Sequence, residues 1–138
     1  MKKDDCIFCK IAAGEIPSTT VYETNEFKVF FDIAPASKGH ALIIPKEHFD
    51  NVFSLDSETA GKLFSLATVV ARALKEETGC EGMNLLQNNG EIAGQTVHHF
   101  HMHFIPRYEG DDIKLIPAPH EADKDYLAEL AERVKKHI

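Results

Sequence analysis

"QTVHHFHMHFIPR", residues 95–107, carries four of the chain's eight histidines within six positions: His98, His99, His101 and His103. Apolar residues interleave them, and the run Val97–Ile105 reads as a β-strand. Side chains alternate faces along a strand. His99, His101 and His103 therefore share one face, with neighbouring imidazoles about 7 Å apart. His98, Phe100, Met102 and Phe104 share the other face. That set is mainly apolar and is expected to pack on a helix, which leaves His98 as the odd member.

Three readings of the three aligned imidazoles stay open on the residues alone. They could be solvated or packing side chains, although histidine is not a strong strand former. They could present nitrogen ligands to a zinc ion, as His-x-His on a strand can. Or one could be a nucleophile, since a neutral imidazole attacks well and an ordinary histidine is largely neutral at pH 7.

Outward from this strand the pattern is short strands and one long helix. "NNGEIAG" before it is a loop with two glycines, and "MNLLQ" before that is a strand. Ser57 to Thr78 reads as the long helix, with Asp56 as N-cap and Gly79 at the left-handed C-terminal position. Leu63, Leu66, Ala67, Val70, Ala71 and Leu74 form its apolar stripe. "HALIIP" is a short strand ended by Pro45. Val21–Tyr22 and Phe27–Phe31 are strands around the turn "ETNE", and "CKIAAGEIPS" is a helical turn stopped by Gly14 and Pro17. Leu127, Leu130 and Val134 predict a short C-terminal helix. Hairpin-length links around one long helix give an α+β class with an antiparallel sheet of about five strands.

At 138 residues the chain fits one domain, over residues 1–138, with a core of ordinary size. A net charge of −7 argues against non-specific grip on a nucleic-acid backbone. It does not exclude a small anion held locally. No apolar run reaches the length of a membrane span and no secretory signal is evident, so a cytoplasmic location is expected. Cys6, Cys9 and Cys80 are too few and odd in number for a disulfide framework. Cys6-x-x-Cys9 could be a redox pair, two spare thiols or half of a zinc site.

"HHFHMHFIP" contains the His-φ-His-φ-His-φ-φ pattern from His99 to Ile105 and resembles the signature of the histidine triad (HIT) superfamily of nucleotide hydrolases and transferases. "CIFCKIAAGEIPSTTVYE", "FFDIAPASKGHALIIPKEH" and "NNGEIAGQTVHHFHMHF" resemble its Hint-type branch in order and spacing, over about residues 5 to 106. The resemblance implies a HIT-like fold and, as the family usually forms, a homodimer. It implies His101 as the nucleophile on an α-phosphate, with a nucleotidyl-histidine intermediate that water hydrolyses. The His101 Nδ1 proton is expected on a backbone carbonyl, which frees Nε2. His103 would contact the phosphate or leaving atom; His99 and His40 would orient and polarise it.

By the same resemblance Asn88, Gly94, Gln95 and Thr96 hold phosphate or leaving-group oxygens, with threonine where the family more often has serine. Asp32 corresponds to the carboxylate that binds the ribose hydroxyls. Phe8, Ile11, Phe30, Ile33 and Leu42 correspond to the apolar slot around the base; without the family they read as plain core. The ligand implied is a purine nucleoside monophosphate unit, with phosphoramidates as the substrate class. The rivals are a dinucleoside polyphosphate hydrolase or nucleotidyltransferase, a zinc hydrolase using activated water, and a binding module with vestigial catalysis. Some bacterial members and the related galactose-1-phosphate uridylyltransferases pair such cysteines with two histidines, which implies a structural zinc on Cys6, Cys9, His48 and His99. Cys80 reads as structural. From Tyr108 onward the chain departs from the tryptophan-bearing Hint-type tail, because it contains no Trp.

Overall fold

A computed structural model describes residues 2–138. Five strands form one antiparallel sheet in the order β1-β2-β3-β5-β4: β1 Thr20–Glu23, β2 Phe27–Phe31, β3 Ala41–Pro45, β4 Gly82–Leu86 and β5 Met102–Arg107. The helices are α1 Ile7–Ala12, α2 Ser57–Thr78 and α3 Lys124–Lys135. The expected α+β architecture is therefore present, with a 3-10 turn at Glu91–Ala93 inside the glycine loop.

Strand alternation divides the interior into two layers. Phe27, Val29, Ala41, Ile43, Met102 and Phe104 face α2 and meet its Leu63, Ala67, Val70 and Leu74. Phe30, Leu42 and Ile44 face the other way, onto Cys6, Phe8, Cys9 and Ile11 of the α1 region. Truncating a fully buried member such as Phe104 to Ala should cost about 3–5 kcal/mol through lost transfer energy and the cavity left behind. On the α1 side Lys28 is buried, and its ammonium donates at 3.0 Å to the Ile11 carbonyl, which also accepts the Gly14 amide at 3.1 Å.

α2 begins and ends where its caps require. Asp56 accepts from the Thr59 amide, and Gly79 sits at φ 67° with its N–H on the Lys75 carbonyl. The expected strand over residues 97–105 needs correction at its start. Ladder pairing begins only at Met102, because the register sets Ile43 opposite Met102 and so brings Pro45 opposite the approach to the strand. Proline has no N–H to continue the ladder. Phe100 N–H instead donates to the Phe49 carbonyl at 2.6 Å. Alternation nevertheless persists: Phe100 joins the α2 core while His99 and His101 are buried on the opposite side.

α3 forms as its periodicity predicts, but none of its residues is buried. The chain reaches it through a fixed turn, in which the Arg107 guanidinium donates to Asp111, to Asn84 Oδ1 and to the Ile113 carbonyl. Among the described residues no helix is long and apolar enough to cross a membrane.

Candidate active site and donor cluster

β3 and β5 place the histidines. Leu42 pairs with His103, so both face the α1 layer, and His40 enters from the residue before β3. His101 Nδ1 lies 2.7 Å from the His99 carbonyl. A carbonyl can only accept, so the proton sits on Nδ1 and Nε2 keeps its lone pair. Phe8 packs edge-on against His101 with ring centroids 5.0 Å apart, and His103 lies 5.1 Å away on the other side.

The neighbouring imidazoles form a directed chain. The Ala36 amide donates to His40 Nδ1 at 2.9 Å, which leaves the His40 proton on Nε2. That nitrogen is 2.9 Å from His103 Nδ1 and donates to it, so His103 carries its own proton on Nε2. Asp32 Oδ2 stands 3.6 Å from His40 Nε2, and Asp32 Oδ1 accepts from the Ala34 amide at 2.8 Å. Burial holds His40, His101 and His103 below the ordinary histidine range, His103 at about 4. At neutral pH all three imidazoles are uncharged.

His101 and His103 open onto a cavity of about 420 Å³ beside α1, while His40 stands behind His103 and does not line it. Phe8, Ile11, Phe30, Ile33 and Leu42, expected around a base, all line it, and so do Asp32, Thr96, His101 and His103. Ile33 is 97% exposed and overhangs the mouth. Ile16, Pro17 and Ser18 line it too, although the sequence marked that segment only as a helix stop. Asn88 and Gly94 stand back from the lining; the Asn88 amide reaches the Gly94 carbonyl at 3.4 Å. Gly94 has φ 95° and a Cβ there would meet Asn88 Nδ2 at 3.2 Å, so the turn requires glycine.

Gln95 departs from its expected role. Its side chain is 2% exposed; both amide protons and the oxygen are engaged within the protein, on Asp50 O, Val97 O and the Gly90 amide. It holds the loop and does not face the cavity. His98 points outward, 3.6 Å from Glu91.

Behind the histidines lies a second cluster. Donor atoms of Cys6, Cys9, His48 and His99 all lie within 4.8 Å of one another. His99 Nδ1 is 3.3 Å from Cys6 Sγ and 3.5 Å from Cys9 Sγ, and His48 Nδ1 is 3.4 Å from Cys9 Sγ. Zinc bonds of about 2.0–2.3 Å in a tetrahedron separate neighbouring ligands by roughly 3.3–3.8 Å, so the donor set fits such an ion. The tautomers fit as well. His99 Nε2 donates to the Pro45 carbonyl and His48 Nε2 to Asp50 Oδ1, both at 2.7 Å, which leaves each Nδ1 unprotonated toward the sulfurs. Desolvation holds the Cys9 thiol above its ordinary value and His99 down at about 4. Asp50, absent from the sequence reading, is the carboxylate that orients His48; only its position two residues beyond a candidate ligand could have marked it. Cys80 is buried and lies outside both clusters.

Comparison with known proteins bears on the family and the fold. The model of the HIT domain family matches residues 13–110. The chain is 46% identical over 136 residues to "Protein hit" of Bacillus subtilis strain 168, covering 98% of this chain and 92% of that one. It is 48% identical over 102 residues to adenosine 5'-monophosphoramidase hnt1 of Schizosaccharomyces pombe, covering 74% of each. Among solved structures it resembles SMU.412c of Streptococcus mutans UA159, with a TM-score of 0.94 and 44% identity over 99% of this chain and 87% of that one. It also resembles a Zn-bound histidine triad family protein of Mycobacterium smegmatis, with a TM-score of 0.76 and 32% identity over 94% of this chain and 97% of that one. With the family model covering most of its length and the aligned histidines running into β5, of which His103 is the one within it, the chain belongs to the HIT domain family.

Proposed function

We propose that the protein hydrolyses the bond between the α-phosphate of a purine nucleoside monophosphate and a leaving group, with phosphoramidates and related adenylates as the substrate class. The observation that carries the reading is the His101 tautomer: Nδ1–H on the His99 carbonyl, with Nε2 left as a lone pair at the cavity. A neutral imidazole fixed in that way needs no further deprotonation before attack.

In the first step His101 Nε2 bonds to the α-phosphorus as the bond to the leaving group breaks. A leaving nitrogen takes up one proton and departs as the amine. Water then breaks the phosphorus–Nε2 bond, giving the monophosphate and releasing one proton in return. His103 Nε2–H is the donor to a phosphoryl oxygen or the leaving atom, and His40 holds His103 in that tautomer. Asp32 takes the ribose hydroxyls, Thr96 a phosphate oxygen, and the apolar lining takes the base, which selects purines mainly by size. Asn88 and Gly94 shape the loop behind Thr96. The name of the fission-yeast relative, an adenosine 5'-monophosphoramidase, supports the phosphoramidate class.

The second cluster would hold a structural zinc on Cys6, Cys9, His48 and His99, a reading supported by the ligand spacing and the Zn-bound mycobacterial neighbour. Such an ion would fold the N-terminal segment onto the sheet and keep His99 neutral; it takes no part in the steps above. A homodimer is the assembly proposed.

The test is product analysis. A lysyl or aminoalkyl adenylate should be converted to the nucleoside monophosphate and free amine, with phosphorus found on histidine after rapid quenching. Preferential cleavage of a dinucleoside polyphosphate would move the assignment to that class. No turnover of any adenylate would leave a binding module.

A further inference from the structure

Gln95 reaches beyond the loop it belongs to. Its oxygen accepts the Gly90 N–H at 2.8 Å, and its amide donates to Val97 O at 3.0 Å and to Asp50 O at 2.7 Å. The first two bonds pin the glycine loop on either side of Thr96. The third crosses to the segment that carries His48. Asp50 is where the two meet, because its carboxylate takes the His48 Nε2–H while its carbonyl takes the Gln95 amide. Two further ties bind the same segment: the Val52 amide donates to Asn89 Oδ1 at 2.8 Å and the Phe100 amide to the Phe49 carbonyl. An unbroken line of contacts therefore runs from Cys9 Sγ through His48, Asp50 and Gln95 to the Gly90 amide.

We propose that Gln95 is a positioning residue that couples metal occupancy of the Cys6, Cys9, His48 and His99 cluster to the order of loop 88–97, and through it to nucleotide affinity. The proposal rests on the preceding reading that the cluster takes a metal and that Thr96 meets the phosphate. An ion that fixes His48 Nδ1 fixes Asp50 through the opposite ring nitrogen. A fixed Asp50 carbonyl holds Gln95, and Gln95 holds both flanks of Thr96. A nucleotide that must order the same loop then loses less entropy on binding. Linkage makes the effect reciprocal, so nucleotide must tighten metal by the same factor.

The experiment titrates the full chain with zinc alone, with AMP alone and with each in the presence of the other. It also follows amide hydrogen exchange at Gly90 and Thr96. The zinc-loaded chain should bind AMP about 5- to 20-fold more tightly than the chelated chain, within the usual span of coupling factors. Zinc should slow exchange at both amides. In Gln95→Leu the ratio should fall to within about twofold and the zinc-dependent protection should vanish, although zinc still binds one per chain. Should that variant fail to fold, Asp50→Ala cuts the same line from the metal side. It should weaken zinc by about 10- to 100-fold and remove the coupling. A purely structural role for Gln95 would lower stability and leave the ratio intact. Independent binding of zinc and AMP in the wild type overturns the proposal, as does undiminished coupling in either variant or failure to bind zinc. If AMP does not bind at all, the nucleotide reading fails by itself; zinc-dependent protection in the wild type but not in Gln95→Leu would still uphold the coupling, and its absence would overturn it.

Discussion

Two groups of metal-ligating side chains sit side by side in this molecule, and the same residue types do different things in each. Cys6, Cys9, His48 and His99 form one; Asp32, His40 and His103 form the other. In both, all donor atoms fall within 4.8 Å of one another. Spacing and lone pairs separate them. In the first, nitrogen–sulfur distances of 3.3–3.5 Å match a tetrahedron edge, and both Nδ1 lone pairs point inward. In the second, His40 Nε2 and His103 Nδ1 are only 2.9 Å apart, closer than two ligands of a tetrahedral ion and right for a shared proton. The His40 Nδ1 lone pair is already taken by the Ala36 amide. Proximity of ligating side chains thus does not make a metal centre; the other nitrogen of each imidazole decides.

The largest break in this comparison should come from His101, which belongs to neither cluster and touches both neighbours. His101→Ala is expected to lower turnover of an adenylate by about 10⁴-fold or more, as loss of a nucleophile does, while calorimetry still finds AMP bound. A rate within tenfold of wild type would sink the mechanism. The clusters themselves should separate under the next pair of substitutions. Cys9→Ser should abolish stoichiometric zinc by elemental analysis. With zinc at about a thousand times its Kd, its loss removes roughly 4 kcal/mol of stability. His40→Ala should leave zinc at one per chain and lower kcat by roughly 10- to 100-fold. Zinc lost with His40, or retained without Cys9, would show the assignments exchanged.

Titration gives a smaller effect of definite sign. Burial keeps His40 and His103 below the ordinary value of 6.5, His103 at about 4. Between those values the unfolded chain binds more protons than the folded one. The stability that the neutral pair contributes is therefore complete above pH 6.5 and is lost as pH falls toward 4. In zinc-loaded protein, where the other cluster is held by the ion, His103→Gln should flatten the decline of the urea midpoint across that window. An unchanged slope would mean that the acid sensitivity lies elsewhere. Smallest of all is a control: Asp56→Ala removes the N-cap of α2, and thermal unfolding should report a loss of about 1 kcal/mol with zinc content and turnover unchanged.

Much of the fold was legible because local rules and tertiary needs agree. Asp56 and Gly79 bound α2 as cap chemistry demands, and alternation sorted His99, Phe100, His101 and Met102 onto their correct sides. The start of the triad strand was not legible, because pairing there fails for want of an N–H on Pro45, a residue distant in sequence. Gln95 was misread for a related reason. Thr96 and Val97 after it line the cavity, but its partners Asp50 and Gly90 are set by tertiary packing. The stripe on α3 predicts a helix and says nothing of what covers it.

The His101 proton rests on the main chain of His99, and that has a consequence for how such chains can diverge. A backbone carbonyl is supplied by every amino acid, so no substitution at position 99 removes the acceptor itself. Under the proposed assignment the thiols and both cluster imidazoles can then drift or disappear in a descendant while His101 keeps its tautomer. The His99 side chain does a separate job, with Pro45 on one nitrogen and two sulfurs near the other. Loss of the cluster would thus leave the His101 tautomer in place.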